Sequence, residues 1–394
     1  MSSLDLIERR TVARVPPLAW MARRAADSAI GLILAAARPG SLARRALEYV
    51  LGLPVASLVA WLAFSAMILG TVDVLAHRSP LYLLALLAIP AGWFLLRRPV
   101  ALGLALAAAS IWIRLLYLGA PETCDQMAVS RAALGVALGG GNPYGFGYAE
   151  SVPPGAPFPY GPLGLLTPAF GQVGETLAFV AVAGILAWQR ALFTLVFFGA
   201  SLQWVELGAC GMNDMIPALL VVGGLLLVER RHNVAGPLLV ALSAGIKPYS
   251  FAWFPALIGF GGMTTAVVLI VTAGLAWLPV LVWGPFSYLD SVKGAWVVQH
   301  RQDQNTLDMP ILRVLAAPLA ALSLLVRSWE GMVLMGAAIF VVMMTTDYWM
   351  SYGYWMVVLP PVGIVLERAL RGFGASLRSA AREQRVPIAV PAVG

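Results

Sequence analysis

"VAGPLLVALSAGIKPYSFAWFPALIGFGG", residues 234 to 262, is the stretch on which the fold turns. It is apolar nearly throughout, and as one helix it is more than long enough to cross a bilayer. At its middle stands the pair Lys247 and Pro248. Proline has no backbone N–H to give to a helix, and its ring disfavours helical backbone at the residue before it. The stretch is therefore either one long interrupted helix or two short ones separated at "KPYS". The choice sets the topology of everything that follows. One helix puts Arg368, Arg371, Arg378, Arg382 and Arg385 on the side opposite the N-terminal arginines. Two short helices put both basic ends on one side, as the excess of arginine and lysine on cytoplasmic segments requires. The second reading is adopted, with helices over 234–246 and 250–262.

The rest of the composition agrees with a membrane chain. Of 394 residues, 60% are hydrophobic and 11% charged, whereas soluble domains carry about 25% charged residues. Such a chain cannot cover itself with polar surface, and its many separate apolar runs suit membrane helices. The expected class is an all-α, polytopic membrane protein. A β-barrel requires short alternating strands, and none are evident. The net charge of +7 sits in short loops and at both ends. It reads as topology signal and attraction to anionic membrane lipids, not as a nucleic-acid surface. Cys124 and Cys210 are too few for a disulfide framework, and spacing alone does not say whether they pair. Of 26 basic residues only Lys247 and Lys293 are lysines, so a lysine here departs from the local habit.

Residues 1–50 form an arginine-rich arm without the order of a signal peptide, expected to be cytoplasmic with an interfacial helix near Ala19 to Ala36. A membrane domain is expected over 51–369 and a cytoplasmic tail over 370–394. Segments are placed near 52–75, 80–96, 100–118, 170–188, 191–207, 215–228, 234–246, 250–262, 264–283, 311–326, 331–346 and 353–367, about twelve helices in all. Arg97, Arg98, Arg190 and the "ERRHN" link at 229–233 then lie inside. Loops 119–162 and 284–310 share the outer face with "GACGMND", "TTDYWMSYGY", Lys247 and Tyr249.

The unusual polar residues gather on that outer face. "CDQMAVSRAALGVALGGGNPYG", residues 124 to 145, begins with Asp125, which is either a loop acid, the N-cap of the helix after it, or a reacting group. The glycine run and the Asn142-Pro143-Tyr144 turn end that helix, and "FPYGPLG" at 158–164, with Tyr160, repeats the theme. Asp214 in "GMND" is a cap for the helix from Met215 or a second acid. Lys247 ends an apolar helix, as a snorkelling lysine or an anion ligand. His300 and Arg301 sit in "QHRQDQN", with Arg313 beyond. Tyr249, Tyr348, Trp349 and Tyr352 form an interfacial belt or stack on a sugar.

The order of these motifs resembles the GT-C membrane glycosyltransferases: a membrane-proximal Asp, a helix ending in "GGNPY", "YGPL", "GMND", an "ERR" loop and "AGIKPY". Within them it is most similar to the polyprenyl-phosphate-mannose-dependent mannosyltransferases of actinobacterial envelopes. The likeness covers roughly residues 100 to 260, and more weakly extends to about 365. One departure is that the acid follows the third membrane segment, where many relatives carry it after the first. The resemblance implies that Asp125 is the general base of an inverting transfer. It implies that Lys247, His300, Arg301 and Arg313 bind the donor phosphate. Asn142, Tyr144, Tyr160, Asp214, Tyr249 and Tyr348 would then meet the sugar or acceptor. The partners implied are a polyprenyl-phosphate-linked sugar and a glycolipid or glycan acceptor, at the periplasmic or extracellular face of the plasma membrane. A phosphate leaving group needs no general acid, so the paired carboxylates of an inverting glycosidase are not expected.

No cofactor or metal is expected: His77, His232 and His300 lie far apart, and no phosphate loop or dinucleotide fingerprint is present. The competing reading is a transporter or lipid flippase without transferase activity. Such a protein favours mid-helix charges and internal repeats, and no repeat is evident. A structural subunit of an envelope assembly is a third reading.

Overall fold

The computed structural model describes residues 55–76, 82–116, 118, 124–152, 154–200, 211–300, 310–345 and 352–383. The chain divides into two compact units, Met1–Val55 and Ala56–Gly394. The arginine-rich arm and its expected interfacial helix lie outside the described residues. The described elements begin with α1 (Val55–Ala76), α2 (Tyr82–Trp93), α3 (Pro99–Leu116) and α4 (Gln126–Leu138). A small antiparallel ladder follows, β1 (Gly147–Tyr148) on β2 (Ala156–Pro157), with Gly147 opposite Pro157. A 3-10 turn (Pro162–Leu166) leads into α5 (Thr167–Trp188), then α6 (Leu192–Ala200), α7 (Met215–Glu229) and α8 (Ala235–Ile246). A second 3-10 turn (Pro248–Trp253) opens α9 (Phe254–Trp283), followed by α10 (Pro285–His300) and a third (Pro310–Leu315). The order closes with α11 (Ala316–Ser323), α12 (Trp329–Thr345) and α13 (Tyr352–Glu383).

The stretch 234–262 is broken where its proline demands. Lys247 is extended, with φ −126° and ψ 113°, because the ring of Pro248 excludes helical backbone there. Pro248 then starts the 3-10 turn, at a position where its missing N–H costs nothing. A further break falls at Gly262, whose φ of 72° and ψ of −155° divide α9. α5 is interrupted in the same way at Gly171, with φ 54°.

The protein is thus helical, with three stretches among the described residues long and apolar enough to cross a membrane: Pro162–Trp188, Pro248–Trp283 and Gly353–Gly372. Other apolar helices, such as Met215–Glu229 and Ala235–Ile246, are shorter. The helical class is as expected, but twelve crossings are not shown: beyond those three stretches the apolar helices among the described residues are too short to count as spans. Three details depart from expectation. The stretch 284–310, expected as a loop, contains α10, and α13 continues through Glu383 into the expected tail. The chain also carries the two-residue ladder in an otherwise α-helical fold. Leu275, Leu278, Leu281 and Val282 leave an exposed apolar face on α9, the surface a lipid-facing helix presents.

α7 and α8 pack on each other, and α7 also meets α5 and α13. Small residues permit this. A Cβ on Gly224 would lie 2.7 Å from the Gly236 carbonyl, and one on Gly236 would lie 2.6 Å from the Gly224 carbonyl. Close crossing through small residues is how membrane helices gain dispersion contact without a hydrophobic driving force. A second close approach shapes the site. The Gly161 N–H donates to the Ile246 carbonyl at 3.0 Å, and Trp277 Nε1 donates to the Ala244 carbonyl at 3.3 Å. These bonds satisfy carbonyls at the C-terminus of α8 that have no partner within the helix. A Cβ on Gly161 would come within 2.2 Å of the Gly245 carbonyl oxygen. Gly161→Ala is expected to destabilise the fold by about 1–3 kcal/mol through this backbone clash. A fall in thermal midpoint checks it; an unchanged midpoint would mean the turn slides freely on α8.

Candidate functional site

Because Lys247 leaves the helical path, its side chain enters the bundle, where it is 1% exposed. Its ammonium lies 3.2 Å from Asp214 Oδ1 and donates to Gln126 Oε1 at 3.1 Å. It also stands 3.8 Å from the centre of the Tyr160 ring. Asp214 is fully buried and accepts a further 2.8 Å bond from the Tyr249 hydroxyl. A charge this deep is tolerable only when paired and hydrogen-bonded. The cluster therefore joins the α8 break, the link before α7 and the start of α4.

Neither acid caps its helix. Asp214 occupies the position before α7 without a side-chain capping bond, because its carboxylate turns to Lys247 and Tyr249. Asp125 stands at the same position before α4, also without a capping bond. Its Oδ2 instead accepts the Val152 N–H at 2.7 Å. Asp125 is half-buried. Burial pushes its carboxyl above the usual range, while the Val152 N–H and the Lys247 charge oppose that rise. The neighbouring Cys124 is a free thiol that burial raises to about 11. Cys210 lies outside the described residues.

The "GGGNPYG" stretch acts as a strut. Asn142 Nδ2 donates to the Trp283 carbonyl at the end of α9 at 2.7 Å, and its Oδ1 accepts the Tyr144 N–H at 3.0 Å. The Tyr144 hydroxyl donates to the Tyr160 carbonyl at 3.2 Å, and the Gly145 N–H donates to Ser291 Oγ on α10 at 2.9 Å. The buried Tyr144 ring packs against Phe158, Trp283 and Tyr288. Asn142 and Tyr144, expected at the sugar, therefore stand behind the site and hold its walls.

Those walls enclose a cavity of about 430 Å³. Four tyrosines line it, Tyr160, Tyr249, Tyr288 and Tyr354, with Lys247, Lys293 and Arg313. Both lysines of the chain thus reach one cavity. Val292 and Met344 supply apolar wall. Asp125 is not part of the lining, but its charge acts on both Tyr160 and Lys247.

Of the expected site residues, Lys247, Arg313, Tyr160 and Tyr249 come together here, and Asp214 joins them through Lys247. His300 ends α10, and its side chain is outside those described; Arg301 and Tyr348 lie outside the described residues altogether. Sequence reasoning missed Lys293, Tyr288 and Tyr354. It also missed a buried pair of elements behind Asp214. Glu175 on α5 accepts the Met215 N–H at 2.7 Å, and Arg114 on α3 donates to Thr176 Oγ1 at 3.0 Å. Their signal was an ionisable residue inside an apolar run, a functional pointer in its own right. Among the described residues, Glu175 Oε1, Asn213 Oδ1 and Asp214 Oδ2 are buried acceptors without a hydrogen-bond partner. No family model, curated protein or solved structure matches the chain.

Proposed function

We propose that this chain is an inverting membrane glycosyltransferase of GT-C type. In this reading it moves a sugar, mannose first, from a polyprenyl phosphate to a lipid or glycan acceptor at the non-cytoplasmic face of the plasma membrane. One observation carries it: three cations and four tyrosine rings share a cavity with apolar wall, and the half-buried Asp125, outside that lining, interacts through its charge with Lys247 and Tyr160. Cations suit a phosphate, aromatic faces suit a sugar ring, and apolar wall suits the first part of a prenyl chain. Asp125 takes the proton from an acceptor hydroxyl as its oxygen attacks the anomeric carbon; the bond from that carbon to the phosphate oxygen breaks, and the lipid phosphate departs with the electron pair. Lys293 and Arg313 meet the charge that builds on the phosphate. Lys247 already shares its charge with Asp214, so it orders the site as well as facing the anion.

The buried charges Arg114, Glu175, Asp214 and Lys247 are the observation that favours a carrier or flippase. They gather at one end of α3, α5, α7 and α8, which suits a fixed site better than a path. Purified protein given labelled polyprenyl-phosphate sugars and a total lipid extract separates the two readings. A new glycosylated product supports transfer. Movement of intact donor across vesicles without product supports the carrier.

Within that assay Lys293→Met is expected to raise the donor KM about five- to tenfold, with kcat less affected, as for loss of one charge-assisted contact. Lys293 is exposed, so the fold should be indifferent to the change. Unaltered donor kinetics would remove Lys293 from the phosphate site.

A further inference from the structure

The far ends of α5, α7 and α8, away from Lys247, carry a second arrangement that the transfer reaction does not use. Two apolar grooves run side by side there. One, of about 460 Å³, lies between α5 and α7 and is lined by Gly184, Trp188, Gly223, Leu227 and Arg230 among others. The other, of about 580 Å³, lies along α7 and α8 and is lined by Leu227, His232, Val234, Leu238 and Leu239 among others. Leu227 is the ridge common to both.

Above that ridge the chain turns back on itself. Arg231 adopts a positive φ of 66°, and the His232 N–H folds onto the Leu227 carbonyl at 3.0 Å. The turn leaves Arg230, Arg231 and His232 exposed; Arg230 and His232 line the grooves, and the Arg231 guanidinium lies over the Phe260 ring at 5.6 Å from its centre. Other basic groups surround it. Arg190 is exposed and also has a positive φ, 56°, and Arg371 donates to the carbonyls of Arg190 and Gln189. Among the described residues, the acids near this rim are Glu229, paired with Arg368, and Glu367, buried against Thr194. The rim is therefore strongly positive above two apolar troughs, and Trp188 stands exposed at its edge as interfacial aromatics do.

We propose that this end of the protein holds one anionic diacyl phospholipid, with its phosphate at Arg230 and Arg231 and one acyl chain on each side of Leu227. The proposal rests on the membrane reading of the chain and is independent of the transfer reaction. Charge complementarity selects the occupant. The arginine-rich segment 1–50 carries the same sign as the rim and is disfavoured. A zwitterionic lipid gains only the groove contacts, whereas an anionic headgroup also gains roughly fivefold in affinity per arginine beside it.

The grooves offer their own probe. A Cβ on Gly184 would meet nothing within 4 Å, and one on Gly223 would meet only Leu239 Cδ1 at 3.9 Å. A larger residue at either position therefore starts without a clash at its Cβ and projects from the lining of the α5–α7 trough, and it improves helix propensity. The test is native mass spectrometry of the full chain, with phosphatidylglycerol or phosphatidylcholine of identical acyl chains as probes. One phosphatidylglycerol should be retained in preference to phosphatidylcholine. Arg230→Gln with Arg231→Gln should lower its retention by more than about tenfold. Gly184→Leu should lower it while every charge remains, and Gly223→Leu repeats that test if Gly184→Leu lowers the thermal midpoint. Equal retention of the two lipids would overturn the proposal. So would retention indifferent to both classes of variant. Displacement by inorganic phosphate, with no effect from either glycine variant, would reduce the site to an anion-binding turn and overturn the lipid assignment.

Discussion

If the chain is the transferase proposed above, Asp125→Asn is expected to lower the rate of sugar transfer by at least about a hundredfold while the protein keeps its fold, the loss expected when a general base is removed. The substitution preserves shape, and the amide oxygen of Asn can still accept the Val152 N–H that now bonds to Oδ2. What disappears is the capacity to take a proton. Donor binding should survive, because Asp125 does not line the cavity that contains the cations. The pH profile gives a second readout. Burial raises the Asp125 carboxyl above its ordinary value near 3.8. A base works only when ionised, so the wild-type rate should fall as pH drops through that raised value, at a higher pH than an exposed aspartate would give. A variant within a few-fold of wild type would remove Asp125 from the chemistry. An acid limb identical in the two proteins would assign the titration to another group.

The parts of this molecule that were legible in its sequence are those with a local cause. Pro248 announces the break at Lys247 because the proline ring acts on its immediate neighbour. The end of the segment read as 250–262 coincides with the non-helical Gly262 for the same reason: glycine tolerates a positive φ that other residues avoid. α10 was not legible, because "PFSYLDSVKGAWVVQH" has neither the hydropathy of a span nor a strong apolar stripe and so reads as loop. The site divides along the same line. Lys247, Asp214, Tyr160 and Tyr249 each stand out singly, but their contacts connect helices distant in sequence, and nothing local foretells that Lys247 meets Asp214. Lys293 had a signal, since lysine is rare in this chain, but its meaning emerges only once α10 brings it to the cavity of Lys247. Asn142 and Tyr144 show the converse. A conspicuous motif drew attention to itself, and its polar groups turn out to be committed to holding α9 and α10 in place.

Lys247→Met is expected to cost about 3–5 kcal/mol of stability, the loss seen when one partner of a buried ion pair is removed. The methionine fills much of the space, yet Asp214 stays fully buried with only the Tyr249 hydroxyl for company. Its Oδ2 has no hydrogen-bond partner among the described residues, so the remaining charge is poorly compensated. Asp214→Asn alone should destabilise comparably by stranding the lysine. Combining the two replaces a charged pair with a neutral one, and most of the lost stability should return. That non-additivity, read from thermal inactivation of the four proteins, measures the pair itself. Lys247→Arg should recover little, because a planar guanidinium is larger than the ammonium held 3.8 Å from the Tyr160 ring. The double variant then separates architecture from function. If Lys247 also meets the donor phosphate, the restabilised Lys247→Met, Asp214→Asn protein will fold and still bind donor weakly. If it transfers sugar at the wild-type rate, the pair serves only to join α7 and α8 to α4, and the phosphate belongs to Lys293 and Arg313.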